Sequence, residues 1–262
     1  MAVVQNAALH ALQTEGLALG FGISCLRGVA AAQLARTAGY HWLAIDMEHG
    51  ALSLAETAEL CAAALATGIA PIVRINAGAL DEATRTLDNG AQGIIVPHVE
   101  SAEEARAIVD ALRYPPLGKR TWGGTGIHFG YRVPSVDDAR SEVNDQSLII
   151  AMMENAAGVE NANAIAAVDG IDLLFVGMLD LSIELGVPQQ FEHPIVLDAL
   201  SRVARACETN GKILGLGGAY DEASVKRFIP MGARFIAGGS DHGFVLGAAR
   251  SRALFLTGLF KA

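Results

Sequence analysis

The sequence predicts a single-domain (β/α)8 TIM barrel, on three observations. Its 262 residues sit near the length at which one hydrophobic core stops growing. Short apolar runs rich in β-formers recur eight times, and each is followed by an Ala/Leu-rich amphipathic stretch. The runs are continuous rather than alternating, as expected of parallel strands buried on both faces.

In chain order the expected strands are LALGFGIS (17–24), WLAIDM (42–47), PIVRI (71–75), GIIVP (93–97), LIIAMM (148–153), LLFVG (173–177), ILGLG (213–217) and RFIAGG (234–239). The helices between them are expected over 28–37, 54–66, 80–87, 102–112, 158–167, 195–208 and 221–228, with a last one over 241–259. An open doubly wound sheet would need a GxGxxG turn after its first strand, and Gly20-Phe21-Gly22 lacks the third glycine. Two connections exceed what a barrel needs: 114–146, rich in Gly, Pro and aromatics, and 181–194, and such excess suits a lid, a binding loop or a subunit contact.

Composition narrows the function classes. Hydrophobic residues make up 52% and charged residues 18%, too apolar for a disordered chain. No charge-free apolar run is long enough to span a bilayer, and MAVVQNAALHALQTEG has no basic region ahead of an apolar one, so the expected location is the cytoplasm. A formal charge of −9 without a basic cluster argues against nucleic acid or an anionic membrane as partner. Cys25, Cys61 and Cys207 are odd in number and far apart, which disfavours disulfide, zinc and redox roles.

In such a barrel the active site lies at the C-terminal strand ends, and six of the eight expected ends carry polar groups. They are Asp46-Met47-Glu48-His49, Arg74, His98, Glu154-Asn155, Asp180 after Gly177-Met178-Leu179, and Ser240-Asp241. Asp180 and Asp241 are equally suited to capping a helix. Arg74 and Glu154 directly follow apolar strand residues, where an unpaired charge would cost several kcal/mol, so each needs a partner. Glu154 and Asp180 are hard oxygen donors on neighbouring strands and suit Mg²⁺, Mn²⁺ or Co²⁺ rather than zinc. Asp46 stands three residues before His49, a spacing that lets a carboxylate orient an imidazole, though a solvated histidine fits that spacing as well. No lysine falls at an expected strand end, which disfavours Schiff-base chemistry.

The motifs IDMEHG (45–50), PIVRI (71–75), LDNGAQGIIVPHVESAEEA (87–105), RYPPLGKR (113–120), MMENAAGVENANAIAAVDGID (152–172) and GMLDLSIELGVPQQFEHP (177–194) follow one another as in the HpcH/HpaI aldolases, which the chain resembles from GFGIS to its last helix. That resemblance implies a metal-dependent class II aldolase interconverting 4-hydroxy-2-oxo acids with pyruvate, or another 2-oxo acid, and an aldehyde. It implies a homohexamer, a trimer of dimers, whose last helix is exchanged with a neighbour. Matched residue by residue, Glu154 and Asp180 would hold the metal, and His49 steadied by Asp46 would be the acid/base. Arg74 would contact the enolate oxygen, and the Gly177, Met178, Leu179 and Asp180 backbone would hold the pyruvate carboxylate, with Leu216 and Arg120 completing the substrate site. The chain departs from the family in Gly177-Met178-Leu179, where Gly-Pro is common, in Glu154-Asn155, where Glu-Thr is frequent, and in TWGGTGIHFGYR. By that match Trp122, His128 and Tyr131 would lie where acceptor choice is made. Two other readings share the scaffold: a citrate-synthase-like condensing enzyme, and a barrel that binds an oxo acid or phosphate without turnover, with Gly238-Gly239-Ser240 as an anion nest.

Overall fold

The computed structural model describes residues 3–124, 126–132 and 134–261. Eight parallel strands close into a barrel in sequence order, β1 (Ala18–Ile23), β2 (Trp42–Asp46), β3 (Ala70–Arg74), β4 (Gly93–Val96), β5 (Leu148–Met153), β6 (Leu173–Gly177), β7 (Ile213–Gly217) and β8 (Ala233–Ser240). Each expected strand is present within a residue or two of its expected ends.

Period-2 alternation explains why the strands read as continuous apolar runs. In β5, Leu148, Ile150 and Met152 fill the barrel interior, while Ile149, Ala151 and Met153 face the helical layer. The interior is floored by Trp42 stacked on Phe235, ring centroids 4.1 Å apart, with Phe175 edge-on to Phe235. The helical layer comprises α2 (Gly28–Thr37), α3 (Leu54–Thr67), α4 (Leu80–Asp88) and α5 (Ala102–Leu112), and later α7 (Ala156–Glu160), α8 (Ala162–Ala166), α10 (Pro194–Asn210) and α11 (Glu222–Phe228). Ser53 and Ser101 begin α3 and α5 through reciprocal capping boxes with Glu56 and Glu104.

Three elements lie outside the sequence expectation. Helix α1 (Ala7–Thr14), capped by Asn6, places Ala8 and Ala11 against the interior cluster at Ala18 and closes the bottom of the barrel. Helix α6 (Val136–Gln146), capped by Ser135, occupies the end of the segment read as a long connection, and α9 (Met178–Glu184) begins directly after β6. The helix expected over 158–167 is broken at Asn161 into α7 and α8. The last helix, α12 (Asp241–Lys261), is rooted on β1 and β8 and then exposes Val245, Leu246, Leu254, Phe255, Leu256, Leu259 and Phe260.

Candidate active site

Strand parity decides which end residues face inward. Asp46 has the parity of Trp42 on β2, and Arg74 that of Ala70 and Ile72 on β3. The two strands pair with Asp46 directly opposite Arg74. The Arg74 guanidinium donates from Nε to Asp46 Oδ1 at 2.9 Å and from Nη2 to Oδ2 at 2.6 Å. Its remaining Nη1 lies 3.2 Å from Glu48 Oε2. This arrangement corrects the expected Asp46–His49 pair: Asp46 reaches His49 only through a backbone N–H at 3.4 Å, and the carboxylate orients the arginine. The His49 imidazole is 68% exposed at the cavity rim, with Nε2 4.0 Å from Glu48.

Burial pushes the Asp46 carboxyl upward, but the Arg74 fork and the Glu48 and His49 amides outweigh it and hold the group below the ordinary carboxylate range. Burial alone would lower the Arg74 pKa, and Asp46 with Glu48 and Glu154 holds it above its ordinary value. The arginine is therefore a fixed cation.

Glu154 follows β5 with the inward parity of Met152 and is 4% exposed. Its Oε1 accepts from the His98 backbone N–H at 2.9 Å and lies 3.0 Å from His98 Nδ1. His98 reaches this position with a left-handed backbone, φ 54°, and its Nε2 lies 3.5 Å from Glu48 Oε1. Burial raises the Glu154 pKa; the His98 contacts oppose the rise, and the charges of Glu48 and Asp180 add to it. Glycine at 177 leaves room for the other oxygen, since a Cβ there would stand 3.0 Å from Glu154 Oε2 and 2.6 Å from Met152. Glu48 and His98, named in sequence only as strand-end residues, thus tie Arg74 to Glu154. Parity could have found Glu48, which stands two residues beyond inward-facing Asp46, but not His98, which follows outward-facing Val96 by two and turns in through its left-handed backbone.

A cavity of about 370 Å³ opens above the aromatic floor and is lined by Asp46, His49, Arg74, Gly177, Leu179 and Asp180, with Ser24 and Ser240 on the β1–β8 side. A second cavity of about 490 Å³ shares His49 and Asp180 and continues past His98 and Glu154, so the sites form one cleft. Four carboxylates, Asp46, Glu48, Glu154 and Asp180, share this cleft with one guanidinium, which Asp46 already pairs, and the Glu154 carboxyl is pushed up first by burial and then by the charges of Glu48 and Asp180. Such a donor set fits a hard divalent cation. Among the described residues no three His, Cys, Asp or Glu side chains converge into a cage, so a cation held by Glu154 and Asp180 would leave positions open to water and substrate.

Several expected residues lie elsewhere. Leu216 has outward parity on β7 and packs in the helical layer; the cavity instead meets Gly217 and Gly218. Arg120 is buried beneath Tyr114, 4.5 Å from the ring centroid, and donates to Asp88 at 2.6 Å, away from this chain's cavity. Trp122 packs against Tyr114, His128 bonds the Leu87 carbonyl, and Tyr131 is exposed, so none of the three lines the cleft of its own chain. Asp241, the first residue of α12, is buried and its carboxylate accepts from four backbone amides, three of them in the loop after β1.

A closed (β/α)8 barrel with charged side chains gathered at the C-terminal strand ends is the architecture of barrel enzymes. The HpcH/HpaI aldolase/citrate lyase family pattern matches residues 27–248, and the chain belongs to that family. It is 37% identical over 242 residues to a 4-hydroxy-4-methyl-2-oxoglutarate aldolase of Hapsidospora irregularis, covering 90% of this chain and 89% of that one. The fold superposes on an HpcH/HpaI aldolase from Desulfitobacterium hafniense with a TM-score of 0.88 at 29% identity, covering 95% and 96% of the two chains. It also superposes on the citrate synthase SbnG with a TM-score of 0.87 at 28% identity, covering 98% and 100%. The chain is a carbon–carbon lyase of the aldolase kind. No described helix is long and apolar enough to cross a membrane.

Proposed function

We propose that this aldolase, with a divalent cation held by Glu154 and Asp180, cleaves 4-hydroxy-2-oxo acids to pyruvate and an aldehyde, and runs the reverse addition. The observation that carries this reading is the fork between Arg74 and Asp46, which fixes a guanidinium in the cavity that Asp180 also lines and that continues to Glu154. When bound, the cation supplies Lewis-acid stabilisation of negative charge on the 2-oxo group.

The chain's own residues do the rest. The first amides of α9, after Gly177, have no partner within their helix and receive the substrate carboxylate, and Gly218 leaves space beside them, since a Cβ there would stand 3.1 Å from Leu179 N. Arg74 donates to the oxo oxygen, where charge grows as the C3–C4 bond breaks. His49 takes the 4-hydroxyl proton, the new carbonyl leaves as the aldehyde, the C3–C4 electron pair passes into the enolate of pyruvate, and C3 then gains a proton from solvent as His49 loses its own to solvent. Asp46 keeps Arg74 from swinging. The decisive experiment is pyruvate release from a panel of 4-hydroxy-2-oxo acids with and without EDTA; release that survives chelation unchanged overturns the metal-dependent reading.

The likeness to SbnG favours a second reading, condensation onto a different electrophile with the same enolate chemistry. It is separated by product analysis, because only the lyase reading releases pyruvate. We also propose that α12 docks on a neighbouring copy within a homohexamer, a trimer of dimers. The apolar residues it exposes beyond its root support this, and sedimentation of the full chain tests it.

A further inference from the structure

The loop from β1 to α2 forms one wall of the cavity through Ser24, and its own residues hold only its carbonyls: Arg27 Nη1 donates to Ser24 O at 3.1 Å and to Leu26 O at 2.9 Å. Arg27, at the N-cap of α2, makes no side-chain cap bond. The loop amides point instead to Asp241, more than two hundred positions away. Asp241 Oδ1 accepts from Ser24 N–H at 2.9 Å and His242 N–H at 2.7 Å, and Oδ2 accepts from Cys25 N–H at 3.0 Å and Leu26 N–H at 2.6 Å. The side chain is fully buried. The same residue begins α12, whose Phe244 packs 5.5 Å from Phe21 and 6.2 Å from Tyr40 and covers Gly239, where the chain turns through φ 122°. One carboxylate thereby spans the root of α12 and the wall of the cleft.

We propose that Asp241 is a positioning residue for the aldolase reaction, fixing the Ser24–Leu26 wall to the root of α12 so that the substrate meets a preformed cavity. The inference rests on the reading of the cleft given above. An asparagine cannot reproduce the tie: whichever way its amide points, an NH₂ group faces two N–H donors. A serine is shorter and carries a single oxygen, so it cannot accept from all four amides.

The test uses the full chain loaded with Mn²⁺ and a 4-hydroxy-2-oxo acid that the wild type cleaves. Asp241→Asn is expected to raise KM by about tenfold and change kcat by less than about threefold, because the wall is loosened while Arg74, His49 and Glu154 stay in place. Hydrogen exchange at the 24–26 amides should quicken with no change in β5. Asp241→Ser should behave alike, and it decides the matter if Asp241→Asn fails to fold. Unchanged KM in a folded variant, or a fall in kcat alone, overturns the proposal. Should the wild type cleave no such acid, the reading of the reaction fails; calorimetric binding of pyruvate, weakened or not by Asp241→Asn, then still decides whether this residue shapes the cavity.

Discussion

Arg74 and Asp46 stand opposite each other across the last register pair of β2 and β3 and share two parallel hydrogen bonds, 2.9 and 2.6 Å long. The pairing makes the guanidinium plane part of the barrel rim rather than a mobile side chain. A planar fork held by Asp46 at Nε and Nη2, with Glu48 beside Nη1, presents its remaining N–H groups in one orientation.

Replacing that fork is expected to be costly. Arg74→Lys should lower kcat by about 100-fold, since an ammonium cannot satisfy both Asp46 oxygens and also face the oxo oxygen. Circular dichroism should remain unchanged, and normal kinetics would reduce Arg74 to a structural ion pair.

Asp46→Asn should follow the Arg74 variant and not the His49 variant. His49→Ala is expected to slow cleavage by roughly 10²- to 10⁴-fold, the usual worth of a general base, and to slow exchange of pyruvate methyl protons less. Asp46→Asn should depress both reactions, and the double variant with Arg74→Lys should be less than additive. Equal losses in both reactions for His49→Ala would move that residue to enolisation.

Glu154→Gln and Asp180→Asn should each abolish cation-dependent turnover and weaken Mn²⁺ binding measured by calorimetry, because each would remove one of the two proposed anionic ligands. The barrel should persist, as the amide oxygen in Glu154→Gln still accepts from the His98 N–H. Wild-type Mn²⁺ affinity in either variant would exclude that residue as a ligand.

Burial lowers the His128 pKa; its bond to the Leu87 carbonyl opposes the drop and Arg120 reinforces it. A histidine whose folded pKa is depressed is protonated more readily in the unfolded chain. Its contribution is complete above the ordinary value near 6.5 and is lost as pH falls through that value toward the folded one. Urea midpoints should therefore fall more steeply between about pH 7 and pH 5 for the wild type than for His128→Gln, which keeps an N–H for Leu87 but does not titrate. Equal slopes would place the acid sensitivity elsewhere.

The barrel was legible in the sequence because strands buried on both faces leave uninterrupted apolar runs, of which LIIAMM is the plainest. Arg74 and Glu154 were legible as charges in need of partners, but the partners depended on register: only the β2–β3 pairing places Asp46 opposite Arg74 and so turns it from His49. Leu216 shows the converse, a residue adjacent to the site in sequence and turned outward by parity. Helix α6 left a readable sign, the Ser135-to-Asp138 cap spacing, within a segment whose glycines and prolines dominated its composition. Helix α1 left fewer signs, because its alanines acquire meaning only when the barrel floor exists to receive them.

The stacked floor gives the molecule an optical gauge of its own. Of two tryptophans, Trp42 lies at the base of the cavity against Phe235, while Trp122 sits in a separate cluster beside Tyr114. With Trp122→Phe, emission comes from a single indole whose surroundings change when a ligand replaces water above it. Occupancy can then be followed by light in real time, without label or coupled assay, and turnover can be watched from beneath the substrate.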